Sequence, residues 1–230
     1  MTMSCIRRYW VFIMVITGPA ALAQEDLSLL LQPRVSLNYP ISGTYSHNFS
    51  LAHRISYLNL GEENITTRHI DLSHFSTVKW GANRSLGLGI LYRFREVFED
   101  QDANELRLTQ QVNFISHGHR LRFGHRLRSE QRLFSELTLH RLRYRFAMDA
   151  PLQGKKLDPG ELYWIGGLEG LLTTGKGLKP VYSLRTSGWL GYLANDLIKI
   201  QVGGEYRIVE LWKGNRPFLF LLTSLVFSLQ

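Results

Sequence analysis

The chain has 230 residues, with 27 Lys and Arg against 19 Asp and Glu for a formal charge of +8, and one cysteine. That cysteine, Cys5, precedes the first apolar run, so the rest of the chain carries no disulfide, no Cys-ligated zinc and no thiol nucleophile. No later stretch of roughly 18 apolar residues occurs, which excludes a spanning helix beyond that first run.

The first element reads as a secretory signal peptide over residues 1–23. Arg7 and Arg8 are followed by an apolar run from Tyr9 to Ile16, by Gly18-Pro19-Ala20, and by the small-residue site Ala21-Leu22-Ala23 ahead of Gln24. Its removal takes away two arginines and no acid, which lowers the formal charge from +8 to +6 and leaves residues 24–230 as one domain. An exported basic chain meets acidic lipid heads and anionic solutes; nucleic acid is not expected as a partner.

From Ser28 onward the hydrophobic pattern has a period of two, and no long segment has helical periodicity. In residues 28–41, Leu29, Leu31, Val35, Leu37, Tyr39 and Ile41 alternate with Ser28, Gln32, Arg34, Ser36 and Asn38. Further candidate strands are 44–58, 67–80, 84–99, 104–116, 119–131, 136–148, 161–172, 181–193, 196–211 and 216–229, eleven in all. Single-chain bacterial barrels have an even number of strands. The pattern therefore predicts ten, with the first segment outside the circuit, or twelve, with one strand unseen. Short connections at 81–83, 117–118 and 195–196 alternate with longer ones at 60–66, 100–103 and 173–180, while 149–160 is long where a short turn is expected. A strand of about 12 residues tilted near 40° rises about 30 Å, enough to cross a bilayer.

The polar faces are rich in arginine. Between His119 and Arg132, Arg120, Arg122, Arg126, Arg128, Glu130 and Arg132 share one face, with Leu121, Phe123 and Leu127 on the other. Glu105, Arg107, Thr109, Gln111 and Asn113 oppose Leu106, Leu108, Val112 and Phe114 in the strand before it. Lys199, Gln201, Glu205 and Arg207 oppose Ile198, Ile200, Val202, Tyr206 and Ile208 near the end, and Arg93, Arg95, Arg141, Arg143, Arg145, Glu169 and Arg185 extend the set. A dry core cannot hold this many guanidinium groups, because each unpaired buried charge costs several kcal/mol. Either they lie outside a soluble periplasmic β-sandwich, or they line a watery lumen while Leu, Ile, Phe and Tyr face lipid. Export, strand length and the lack of helices favour the second: an all-β, antiparallel, up-and-down transmembrane β-barrel of 10–12 strands. Tyr45, Tyr57, Trp80, Phe98, Trp164, Trp189, Tyr192 and Trp212 are placed to form its interfacial aromatic girdles.

The run from Gly124 to Arg132, followed by Leu142-Arg143-Tyr144-Arg145-Phe146 and accompanied by Glu105-Leu106-Arg107-Leu108-Thr109-Gln110-Gln111, resembles the uncharacterised outer-membrane barrel family called domain of unknown function 2490. The resemblance extends over nearly the whole mature chain and is most distinctive over 105–146. It implies an outer-membrane barrel and supplies no activity, so no catalytic residue is carried over. Many outer-membrane barrels end on an aromatic residue read by the insertion machinery; this chain ends Phe227-Ser228-Leu229-Gln230, with Phe227 three residues inside.

Arginine forks bind carboxylate and phosphate bidentately. The arginine ladder therefore has two readings: a structural Arg/Glu network that fills a small barrel, or an anion-selective or anion-binding lumen. The expected partners are outer-membrane lipid, the barrel-insertion machinery and a small anionic solute. The eight histidines, including His117 and His119 around Gly118, show no zinc pattern, and neither metal nor other cofactor is expected. An outer-membrane lipid-modifying enzyme is the alternative from another class, with His74 and Ser76, or His47 and Ser50, as base and nucleophile. No serine lies in a nucleophile motif, so the expectation is a protein that is not an enzyme. Glycines at 166–167 and 203–204 precede no helix and are expected to make room for a neighbouring arginine or ring.

Overall fold

The computed structural model describes residues 28–229 except 60–61, 99–101 and 212–216. The predicted signal segment 1–23 and Trp212 lie outside the described residues. The fold is all-β, with strands β1 (Ser28–Pro40), β2 (Tyr45–Asn59), β3 (Glu62–Lys79), β4 (Arg84–Phe94), β5 (Glu105–His117), β6 (Arg122–Leu133), β7 (Thr138–Pro151), β8 (Leu162–Gly175), β9 (Val181–Leu193), β10 (Ile198–Val209) and β11 (Pro217–Ser228). They close into one barrel in chain order.

All eleven candidate strands are present and all belong to the circuit, which corrects the expectation of an even number. Ten contacts between neighbours are antiparallel, and the eleventh, β1 with β11, is parallel in unbroken register from Ser28↔Phe218 to Asn38↔Ser228. A parallel pair bonds through evenly spaced slanted hydrogen bonds. One such seam lets an odd number of strands close without leaving an edge to aggregate. The first segment thus seals the barrel rather than lying outside it, and closure rules out the sandwich alternative.

The connections depart from the predicted pattern in two places. At the end where β11 finishes, the links 41–44, 80–83, 118–121 and 194–197 are short and only 152–161 is long. At the other end, 95–104 and 176–180 are longer, but the expected loop at 60–66 is mostly strand: β3 begins at Glu62 and pairs with β2 up to Asn59↔Glu62. Register shifts at Arg54/Ile55 and Ser56/Leu58 break the alternation in this hairpin, which is why its far half does not read as strand in the sequence.

The two faces of the sheet are chemically opposite. Outward positions carry a broad apolar surface, including Val35, Leu51, Leu72, Leu88, Ile90, Leu108, Leu127, Leu142, Leu168, Ile200, Val202 and Leu221, all more than a third exposed. Soluble monomers rarely carry so large a contiguous apolar patch. Inward positions carry most of the charge, and the largest fully buried side chains are Glu105 and Glu130. A small apolar cluster of Leu30, Phe220 and Leu222, joined by Trp189 and Phe218, lies inside on the β9, β10, β11 and β1 wall. Trp189 therefore does not belong to an interfacial girdle as predicted: it lines the bore. Among the other predicted girdle residues, Tyr57, Trp80, Phe98 and Tyr192 are exposed.

Several glycines are seats for inward rings and arginines. A Cβ on Gly203 would fall 2.5 Å from the Gly188 carbonyl oxygen and 2.7 Å from the Trp189 ring, and one on Gly167 would fall 3.2 Å from Arg145. On Gly191 it would sit 2.2 Å from the ring of Tyr163, whose hydroxyl accepts a hydrogen bond from Gln201 at 2.8 Å. Gly191→Ala should therefore displace Tyr163 and cost about 1–3 kcal/mol, as overpacking does. Gly170→Ala, where the new methyl meets nothing within 4 Å, should leave the urea midpoint of the refolded barrel nearly unchanged.

Candidate functional site

The bore is a cavity of about 760 Å³ lined by side chains from all eleven strands. Thirteen arginines line it: Arg34, Arg54, Arg93, Arg95, Arg107, Arg126, Arg128, Arg132, Arg141, Arg143, Arg145, Arg185 and Arg207. Five carboxylates lie among them, Asp71, Glu169 and Glu205 on the cavity wall and Glu105 and Glu130 behind it.

At the end reached by the start of β5 and the close of β4 and β6, charge is tightly compensated. Glu105 accepts from Arg107 at 2.7 and 2.9 Å and from Arg132 at 2.6 and 2.8 Å, and Arg93 approaches it to 3.7 Å. Arg93 in turn forks onto both oxygens of Asp71 at 2.6 and 2.7 Å. Arg143 bridges Glu130 at 2.7 Å and Glu169 at 2.7 Å, while Arg185 comes within 3.5 Å of Glu169 and Arg128 within 3.7 Å of Glu130. The second oxygen of Glu130 has no hydrogen-bond partner among the described residues and faces Arg107 at 3.9 Å. Arg207 pairs with Glu205 and lies 3.6 Å over the ring of Phe220, which Arg54 also faces at 4.9 Å. Arg95 pairs with Asp102 at 3.2 Å, just beyond β4.

Elsewhere in the bore the arginines are held by neutral groups. Arg126 donates from Nε to Asn113 at 2.9 Å, Arg128 forks onto Gln111 at 2.6 and 3.1 Å, Arg54 onto Gln32 at 2.7 and 3.1 Å, and Arg141 donates to Thr173 at 2.9 Å. An amide or hydroxyl fixes a guanidinium's orientation without cancelling its charge. Among the described residues, Arg34, Arg54, Arg126, Arg141 and Arg145 have no carboxylate within 4.0 Å. The bore therefore holds both of the predicted arrangements: a carboxylate-compensated network and, interleaved with it, arginines whose positive charge is not so cancelled.

Of the seventeen residues predicted to form this network, fifteen take part and two do not. Arg120 lies exposed in the 118–121 connection. Arg122 is exposed at the mouth, where it pairs with Asp149 at 3.0 Å. Three charged residues that line the cavity were not in the predicted set: Arg34, Arg54 and Asp71. Arg34 alternates correctly in its strand and was recognisable. Arg54 likewise keeps the parity of Asn48, Ser50 and Ala52 in β2, whereas Asp71 lies in a strand whose inward set, Asp71, Ser73, Phe75 and Thr77, and outward set, Leu72, His74, Ser76 and Val78, are both mixed.

His69 is buried inside, 3.8 Å from Asp71, whereas on the outer wall His47 and His74 form a different group. His47 Nδ1 lies 2.9 Å from His74 Nε2 and 3.1 Å from Ser76 Oγ, with Tyr45 donating to Ser76 at 3.4 Å. The base and nucleophile pairs predicted from sequence are rearranged: Ser50 faces inward and bonds Ser73 at 2.7 Å, so it stands on the opposite face from His47. His74 and Ser76 meet only through one nitrogen of His47, which leaves that nitrogen shared between two partners instead of relaying a proton from one ring nitrogen to the other. His125 bonds the Tyr144 hydroxyl at 2.8 Å. Among the described residues no three His, Cys, Asp or Glu side chains converge as a metal site.

No curated protein and no solved structure matches the chain. A family model described as a protein of unknown function, DUF2490, matches residues 33–217, from the first strand to the start of the last. The chain that encloses this arginine-lined bore is a member of the DUF2490 family.

Proposed function

We propose that this protein is an outer-membrane β-barrel whose bore binds small anions or passes them as a narrow channel. The observation that carries the reading is the charge surplus in the cavity, thirteen arginines against five carboxylates. Held inside a low-dielectric wall, such a surplus attracts and concentrates anions. The apolar outer wall and the signal-like segment at 1–23 support placement in the outer membrane, with lipid around the barrel and the insertion machinery acting on it. No helix among the described residues is long and apolar enough to cross a membrane.

Two measurements test this. The protein should fractionate with outer membranes and migrate faster on a gel before boiling than after. In planar bilayers it should give anion-preferring steps, and Arg126→Gln with Arg128→Gln should reduce that preference several-fold. Recovery from the periplasmic extract would remove the membrane reading, and cation preference or no change in the double variant would remove the anionic one. A second reading, a lipid-modifying enzyme, has Ser76 3.1 Å from His47 on the outer wall in its favour and the claim of His74 on the same nitrogen against it. It requires that Ser76→Ala abolish release of fatty acid from outer-membrane lipid while the gel shift persists.

A further inference from the structure

The anion reading, on which this inference rests, does not say what kind of anion. We infer that the bore takes a phosphate-bearing anion, with one phosphate group seated among Arg34, Arg126 and Arg145. These three residues come from β1, β6 and β7. In an eleven-strand circuit, β1 stands across the bore from β6 and β7. Arg126 and Arg145 are direct cross-strand partners. All three line the same cavity. Glu169 is the cross-strand neighbour of Arg145 on the other side, but it is taken up by Arg143 at 2.7 Å and Arg185 at 3.5 Å, so among the described residues none of the three arginines has a carboxylate within 4.0 Å and their charge is left for an anion to cancel.

The geometry selects among anions. Arg126 is steered by Asn113 through Nε, which leaves its terminal nitrogens free to donate into the cavity. Arg145 lies against Gly167, where any side chain would crowd it, at 3.2 Å from the absent Cβ. Donors that approach from opposite walls do not share a plane. They match the four oxygens of a tetrahedral phosphate better than the two coplanar oxygens of a carboxylate. A phosphate dianion also cancels more of the local surplus than a monovalent anion. The same group is offered by a free phosphate or pyrophosphate and by the headgroup of a phosphorylated lipid, but the bore wall is polar here and the apolar surface is outside, which favours the soluble source.

The test uses the full chain refolded in a phosphate-free detergent, with titration calorimetry against inorganic pyrophosphate, orthophosphate, succinate and short-chain phosphatidic acid below its micelle concentration. Pyrophosphate should bind at least about tenfold more tightly than succinate, which carries two carboxylates, and phosphatidic acid no more tightly than orthophosphate. Arg145→Gln should weaken pyrophosphate at least about tenfold, Arg145→Lys should restore part of the loss, and Arg122→Gln at the mouth should change it less than about twofold. The heat-dependent gel shift of each variant reports whether it folds. Equal affinity for pyrophosphate and succinate, or an indifferent Arg145→Gln that folds, overturns the phosphate assignment and leaves the anion reading standing. Absence of binding by every anion overturns both, and tighter binding of phosphatidic acid overturns the soluble source.

Discussion

Glu105→Gln is expected to destabilise the barrel by about 3–5 kcal/mol, the scale for breaking a buried ion pair from one side. Glu105 is fully buried, and Arg107 and Arg132 fork onto it while Arg93 stands at 3.7 Å. The amide keeps the shape but removes the charge, so three guanidinium groups lose their common counterion in a place that water reaches poorly. Glu205→Gln should cost clearly less, because among the described residues Glu205 pairs with Arg207 alone and it retains some exposure. A double variant, Glu105→Gln with Arg107→Gln, should recover part of the loss by removing one of the stranded charges. The check is the urea midpoint of the refolded protein, with the folded fraction read from unboiled gels. Equal losses for Glu105→Gln and Glu205→Gln would mean that convergence of arginines on one carboxylate does not concentrate stability there.

Strict alternation made most of this architecture legible. Where residues of one strand obey a period of two without interruption, as from Arg122 to Leu133, the face of every side chain follows from its parity, and Arg126, Arg128, Glu130 and Arg132 all face the bore. The parallel seam could not be read this way, because alternation says which face a residue takes and nothing about the direction of the strand beside it. Ser28 to Asn38 would look the same whether it paired antiparallel, paired parallel or packed elsewhere. The register shift opposite Arg54/Ile55 falls in β3 and defeats parity there, so the strand content of 62–66 was hidden. Trp189 illustrates a third limit. Its parity with Arg185 and Ser187 already placed it inside, but an aromatic near a strand end resembles an interfacial one; that the bore has room for the ring beside Gly203, Phe220 and Leu222 is evident only once β9 and β10 are paired. The separation of the arginines into carboxylate-bound and amide-bound groups was likewise invisible, since it depends on partners from neighbouring strands.

Leu88→Arg separates a lipid-facing wall from a water-facing one with opposite outcomes. Leu88 is near the middle of β4 and is 65% exposed. If its surroundings are hydrocarbon, the new guanidinium has no water to solvate it, and the barrel should lose about 2–4 kcal/mol when refolded into lipid vesicles. Surrounded by water, an exposed leucine exchanged for arginine changes stability by only about 0.5 kcal/mol in either direction. Tyr192→Arg provides the depth control: Tyr192 is an exposed outward residue next to the end of β9, where a bilayer's polar interface would lie and the cost falls to about 0–1 kcal/mol. A large loss for Leu88→Arg with a small one for Tyr192→Arg is the depth profile of a membrane wall. Indifference to both substitutions would place the apolar wall in water or against another protein, and the arginine bore would then need a soluble setting to explain it.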